Sequence, residues 1–477
     1  MKLKVPLQTD NNEKAPRLSR AEKRKIMNTP SLARDLLSII HSYFPNLVKQ
    51  LKQVEDPRIK KYTSYDISIL LMERILSAIF SHDSMQTQTF AFNDESMIKN
   101  VATMLRVAVL DELPHHDTIN NCLKNLKPEE LESIIKEMMN ALIRRNTFNG
   151  SRVRGKHWQI LIDGTTLCSF SHKHCDYCLF RRYKNKKGEV TNVEFYHYVL
   201  EAKLVLHENL VFSICTEFVD NEDGIPDEAT LYSSDYDEDS YEKKKQDCEL
   251  KAFYRLAEKL KAEFPKLNIC ITADALYPCK QVFEICQNNK WHFILRFKEG
   301  CIPTLYNSYC NLRAAKLKEQ SFHTIVDTVR HDYFYCCGLT YDNFSINLAE
   351  CKASDVEYPL LFITDLPVDA KNCENTIMYG RRRWKIENEG FKVQKRHGYY
   401  LKHMFSKNYN AMKNHYFLIQ IAHAISQLLE HGSNIMKDAK LTKAQFHKKL
   451  YESFKSALFT LIDILAAEEP KKIKLNY

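Results

Sequence analysis

Three acids stand where divalent-metal chemistry would want them. Asp163 follows the apolar run Gln159-Ile160-Leu161-Ile162, and Asp274 follows Asn268-Ile269-Cys270-Ile271-Thr272-Ala273. A carboxylate at the end of a buried strand is costly unless it is paired or binds a cation. Strand ends of open α/β sheets are also where ligands collect. Two such acids on neighbouring strands make a site for a hard divalent ion with oxygen ligands. The third acid, Glu387, lies in MYGRRRWKIENEGFKVQKRHGYY. Within it Tyr379, Arg383, Glu387, Phe391 and Lys395 recur at every fourth position. On an α-helix such members drift by only ~40° each, so they predict one slow ridge. On that ridge Glu387 would complete a metal site, and Arg383 and Lys395 would hold a phosphodiester beside it. Each acid alone has an ordinary use, as a loop cap or a rung of a helical ion-pair ladder. The three together, in strongly basic surroundings, favour the site.

Charge gives these acids a context. Lys and Arg number 69 against 60 Asp and Glu, a net +9. Glu217 to Glu242 holds eleven acids and no base; without them the rest of the chain carries +20. Positive charge concentrates in the N-terminal arm (Lys14, Arg17, Arg20, Lys23, Arg24, Lys25) and between Ile377 and His403, with eight bases against two acids. Clustered cations of this kind are the footprint of a polyanion partner. Other classes drop out. Glycine is only 11 of 477 residues, and no G-x-G-x-x-G occurs. The near phosphate loop Gly150–Lys156 is followed by His157, where Ser or Thr must hold Mg²⁺. Neither H-E-x-x-H nor G-x-S-x-G is present. No apolar run approaches the ~20 residues of a membrane span. An odd count of fifteen cysteines behind a polar N-terminus predicts reduced thiols in the cytoplasm.

The elements that must position the acids fall into blocks. At roughly 100–200 residues per domain, two or three domains are expected. Residues 1–30 read as a flexible basic arm. Residues 31–150 read as an all-helical N-terminal domain, suited to DNA-end binding, dimerisation or plain scaffolding. Asp117 and Thr118 are plausible N-caps there, and Pro128 opens the next helix. From Arg152 the texture changes. Long strands are expected over 194–206 and 210–219, then an exposed acidic loop and a helix over about 242–264. Its stripe is Leu250, Phe253, Ala257, Leu260 and Phe264. Strands 268–273 and 292–297 flank a helix near 281–288. Residues 299–360 read as a β-rich insertion, 361–430 as a return to the core, and 431–477 as a helical basic tail. Strands first, then alternating helix and strand, predict a mixed α/β sheet.

LIDGTT around Asp163, ITADALY around Asp274, and RRRWKIENEGFKVQK resemble the catalytic signature of the DDE transposases of bacterial insertion sequences. The resemblance covers about 151–430. It implies a ribonuclease-H-like core with a β-rich insertion before the final Glu, and the helical domain in front. It implies two Mg²⁺ (or Mn²⁺) ions about 3.5–4 Å apart, with Asp163 shared and Asp274 and Glu387 each holding one. One such site is an endonuclease and a strand transferase, cutting the element free and joining it to target DNA. Tyr379, Arg382, Arg383, Lys392, Lys395 and Arg396 would be phosphate contacts, which position DNA without reading sequence. The partners implied are double-stranded DNA, as transposon ends and target, and a second copy in a synaptic homodimer, at the bacterial nucleoid and away from membranes. The family's Y-x2-R-x3-E-x6-K is imperfect here: Tyr379 is spaced to Arg382, Glu387 to Arg383, and Lys395 comes one place late. Glu389 remains a lesser candidate for the acid. Two alternatives stand beside this reading: a catalytically silent DNA-binding protein derived from a mobile element, and a metal-dependent nuclease that never joins.

Lesser signals remain. His172, His174, Cys175 and Cys178, with His197 further on, have zinc-like types and spacing, His174, Cys175, Cys178 and His197 being the candidate ligands, although a second C-x2-C is missing; unligated thiols are the other reading. Asp247 and Glu249 open a helix, as helix-dipole partners or a further acid at the site. Trp158, Trp291 and Trp384 read as core first and base-stacking second.

Overall fold

The computed structural model describes residues 31–221, 226–233, 247–315, 320–432, 441–469 and 475. The basic arm, parts of the acidic segment and the basic residues after 469 lie outside the described residues.

The central element is a sheet. Strand β1 is Trp158–Phe170, β2 Leu179–Lys184, β3 Val190–His207, β4 Leu210–Val219, β5 Ile269–Ala273 and β6 His292–Phe297. The long β3 is antiparallel to β1, and its second half is antiparallel to β4. On the other side of β1, β5 and then β6 run parallel to it. The order β4-β3-β1-β5-β6, three antiparallel strands and then two parallel ones, is the ribonuclease-H-like arrangement expected. The crossover before β5 contains helix Glu249–Glu263, which buries Ala252, Phe253, Leu256, Ala257 and Leu260. Helix Lys280–Asn289 connects β5 to β6. Parallel neighbours need such crossovers, whose helices cover the sheet face.

The segment 299–360 forms helix Pro303–Ala314 and strands β7 (Ser321–Val326), β8 (Val329–Tyr341) and β9 (Phe344–Ala353). It extends the main sheet: β10 (Leu360–Thr364) pairs with β6, and β9, β8 and β7 follow in antiparallel order. The insertion is therefore continuous with the core through β10.

The N-terminal helices form a bundle whose caps are visible in the sequence. Asp66 accepts from the Ser68 amide, and Asp94 from that of Ser96. Pro128 opens helix Pro128–Ile143 as expected. The helix before it starts earlier than expected: His115, not Asp117 or Thr118, is its N-cap. Asp117 sits in its first turn, where an acid suits the helix dipole. Among the described residues no helix is long and apolar enough to cross a membrane.

Helix Tyr409–Gly432 is buried along nearly its whole length. On one side Gln427 accepts from the Val211 amide (2.9 Å) and Tyr416 donates to Glu201 (2.7 Å). On the other, Asn414 donates to the Leu123 and Leu126 carbonyls (2.9 and 2.8 Å), and Arg74 to His415 (3.2 Å). It is a shared wall between sheet and bundle. The C-terminal residues read as a tail also join the bundle, as helices Lys443–Ser456 and Leu461–Glu468. The reason is the apolar face Phe446, Leu450 and Phe454, fully buried. Ser453 Oγ accepts from the Ala33 amide (3.1 Å), and Asn100 donates to the Phe454 and Ala457 carbonyls (2.7 Å each).

Candidate active site

Asp163 is not at a strand end. Gly164, Thr165 and Thr166 continue β1 to Phe170 because the 18-residue β3 pairs along it. Asp163 is therefore mid-strand, with its side chain 22% exposed. Its Oδ1 accepts from the Gly164 amide (3.0 Å), and its Oδ2 faces Arg383 Nη1 at 3.3 Å. Burial is the largest influence on this carboxyl and raises its pKa. Arg383 opposes the shift, while Glu249 and Asp274 add to it, and the result is about 7. Three acids thus crowd one another around the middle of β1. Asp274 does follow its strand, as expected, and its carboxylate accepts from the Leu276 amide (2.7 Å).

Glu249 is the acid that sequence reading undervalued. It opens helix Glu249–Glu263, and its two oxygens accept from Tyr198 (2.7 Å) and Tyr277 (2.8 Å). Burial, with Glu249 second, pushes both phenols up. They therefore stay protonated and hold Glu249 in place. Tyr198 fits only because residue 164 is glycine: a Cβ there would run into the Tyr198 ring. The other helix-opening acid, Asp247, pairs instead with Arg255 (2.6 Å).

The basic segment is not one ridge. Helix Cys373–Arg381 ends in a turn at 382–383, and residues Ile386–Phe391 form a π-helix before α-helix resumes over Lys392–Arg396. Phe391, expected on the ridge, is fully buried with Leu161, Val205, Val211 and Ile386. A π turn takes in one residue more than an α turn. That extra residue lies between Glu387 and Lys395, where the spacing is also one residue long. Lys395 consequently still reaches the site: its ammonium donates to Thr165 Oγ1. Burial lowers its pKa, and both Glu387 and Asp163 pull it back up.

Glu387 is exposed and lies on this helix near Lys395. Among the described residues, only two groups of three His, Cys, Asp or Glu have all their ligand atoms within 4.8 Å of one another. Neither contains Asp163, Asp274 or Glu387: Asp163 and Asp274 act on each other, Glu387 is connected to Asp163 only through Lys395, and the three do not close into one ligand set. Glu389 faces elsewhere, at 3.9 Å from Lys443. Tyr379 and Arg382 serve the scaffold. Gln159 donates to the Tyr379 carbonyl (2.7 Å), Arg382 donates to Gln159 and to the Ser151 carbonyl (3.4 Å each), and its guanidinium lies over the Tyr379 ring. Lys392 and Arg396 are exposed. So is Trp384, at 45%, whereas Trp158 and Trp291 are buried. Of the Cys/His candidates, Cys175, Cys178 and His197 come together, while His174 lies beside them against Phe170.

A half-buried carboxyl whose pKa is raised first by burial, and further by two nearby acids, offers the oxygen donors that suit Mg²⁺ and Mn²⁺. Asp163 and Asp274 have the donor type such an ion takes, although they are not closed into one ligand set. Comparison with known proteins adds the following. Residues 48–139 match the family described as DDE_Tnp_1-associated. A cryo-EM structure of a piggyBac transposase synaptic complex with hairpin DNA is similar over 94% of this chain and 83% of that chain, at 13% identity and a TM-score of 0.42. No curated protein matches the chain.

Proposed function

We propose that this chain is a metal-dependent DNA transposase that cuts and joins DNA at the ends of a mobile element. The observation that carries the reading is the acid cluster at the centre of a ribonuclease-H-like sheet: Asp163 is poised at about 7 by burial against Arg383, Glu249 and Asp274. The match of residues 48–139 to a transposase-associated family supports it from the other end of the chain.

Asp163, Asp274 and Glu387 would hold the ions, with Glu249 behind them. Bound Mg²⁺ or Mn²⁺ supplies the Lewis acidity that phosphodiester cleavage and strand transfer both need. The protein's own groups do the rest. Lys392 and Arg396, exposed on the helix that carries Glu387, take backbone phosphates without reading sequence. Arg383 and Lys395 stand at the border between acids and phosphates. They balance the carboxylates, and each can turn a charged donor to a phosphate oxygen. Tyr198 and Tyr277 orient Glu249. Tyr379 and Arg382 fasten the basic helix to β1, so their effect on DNA is positional. Trp384 offers an exposed ring for a base at a cut end. Recognition of the element ends falls to the helical bundle, and paired ends imply a dimer.

The test uses labelled DNA carrying the element's ends and Mg²⁺. The expected results are cleavage and strand transfer by the wild type, with both lost in Asp163→Ala and Asp274→Ala while gel-shift affinity is kept. Cleavage without joining would make the protein a nuclease. Binding with no cleavage in the wild type would make it a silent DNA-binding relic. Full activity in Asp163→Ala would end the assignment.

A further inference from the structure

The loop after β1 carries a second constellation, away from the acids. Cys175 and Cys178 lie on that loop, and His197 lies on β3. Cys175 Sγ is 3.7 Å from Cys178 Sγ. His197 Nε2 is 3.5 Å from the first sulfur and 3.6 Å from the second. These three edges have a simple origin. A tetrahedral Zn²⁺ with Zn–S of about 2.3 Å and Zn–N of about 2.0–2.1 Å sets S···S near 3.8 Å and S···N near 3.6 Å. The side chains form three corners of that tetrahedron. Thiols donate weakly, so hydrogen bonding alone gives no reason for a closed triangle. Cys178 and His197 are fully buried, which suits a structural ion, closed to solvent, rather than a catalytic one.

His174 lies beside this triangle without joining it: its ring nitrogens are not within 4.8 Å of all three ligand atoms, so it would have to move in to supply the fourth corner. Its ring stacks on Phe170, with centroids 4.2 Å apart, and lies 6.1 Å from the His197 ring. Its Nε2 is 2.8 Å from the Lys407 carbonyl. A carbonyl only accepts, so Nε2 carries the proton and Nδ1 of the neutral ring is left as a lone-pair donor. A remote ring N–H fixed by a backbone carbonyl is the usual support of a zinc-bound histidine.

We propose that Cys175, Cys178 and His197, with Nδ1 of His174, bind one structural Zn²⁺ that fastens the active-site sheet to the buried helix Tyr409–Gly432. The fastening runs through Tyr409, the first residue of that helix, whose ring stacks on His197 at 4.1 Å. Its hydroxyl bonds Asp220, which Lys413 also reaches at 2.7 Å. Lys407, the partner of His174, lies two residues before the helix. The ion would thus tie together the β1–β2 loop, β3 and the start of the wall between sheet and bundle.

The experiment is elemental analysis of the full chain purified without added metal, followed by Co²⁺ exchange. The expected result is about one Zn per chain, and a cobalt spectrum with the intense visible bands of a tetrahedral thiolate site. Cys175→Ser and His197→Ala should each lower the zinc content at least fivefold. His174→Ala should hold zinc but lose it to a chelator at least tenfold faster. Wild type without zinc, whether its thiols titrate as free or its mass shows a Cys175–Cys178 disulfide, would overturn the proposal. So would full zinc content in Cys175→Ser. An unchanged chelator rate in His174→Ala would remove His174 as the fourth ligand. None of these readouts involves DNA cleavage, so they stand or fall apart from the transposase reading. The wild-type measurements hold even where a variant fails to fold.

Discussion

Asp163 and Glu201 are direct partners across β1 and β3, yet the fold treats the two carboxylates in opposite ways. Glu201 is fully buried and surrounded by donors: Ser213 (2.6 Å), Thr216, Tyr416 (2.7 Å) and the Lys203 ammonium at 3.6 Å. Lys203 in turn donates to Gln420 (3.1 Å) and lies beneath Gly390. Asp163 has one backbone amide and one longer contact to Arg383, with Lys395 on one side and the acids Glu249 and Asp274 on the other acting without a direct contact. The difference separates two uses of a buried charge. Glu201 is satisfied and holds elements together. Asp163 is left underpaired, at a cost to the folded chain that the cation proposed above would offset.

The sharpest way to break this contrast is at Glu201. Glu201→Ala leaves the buried Lys203 ammonium uncompensated, and urea unfolding should show a loss of about 3–5 kcal/mol. The opposite sign is expected at the other partner. On the transposase reading Asp163→Asn should abolish cleavage, yet without divalent ions it should melt about 2–4 °C higher than wild type. A lower melting temperature would mean that Asp163, too, is a structural acid.

The pH dependence follows from the same shift. A carboxyl near 7 in the folded chain and near 4 in the unfolded chain keeps its proton longer when folded. Wild-type stability from this group therefore falls as pH rises from about 4 to about 7 and levels off above. The Asn variant should lack that component. On the proposed metal role of Asp163, protons and Mg²⁺ compete for it, so Mg²⁺ should raise the melting temperature more at pH 8 than at pH 6. A smaller effect is expected from Tyr198→Phe, which removes one donor from Glu249 and should cost about 1 kcal/mol. It should leave Glu201 and the helix beneath it untouched.

Much of the site was legible because it is local. Asp274 follows its strand, and the basic helix announces itself by charge. The rest depends on pairing across distance. Asp163 reads as a strand end only until β3 residues 195–201, more than thirty positions later, are seen to extend β1. Glu249 reads as a helix-dipole acid because nothing near it names Tyr198 and Tyr277 as its partners. The ridge from Tyr379 to Lys395 fails for another reason. A strict four-residue period assumes unbroken α-helix, and the π segment rotates Phe391 into the core while returning Lys395 to the acids. The residues after 431 look like a tail because their charge is visible in the sequence and their docking face is not.

The helix Tyr409–Gly432 has a practical corollary. It gives one flank to β3 and β4 and the other to residues 31–143, so a cut near residue 150 would strip the bundle of its lining. Fragments expressed on either side of that cut should come out insoluble unless they are produced together, and a swivel between bundle and sheet would need a hinge elsewhere.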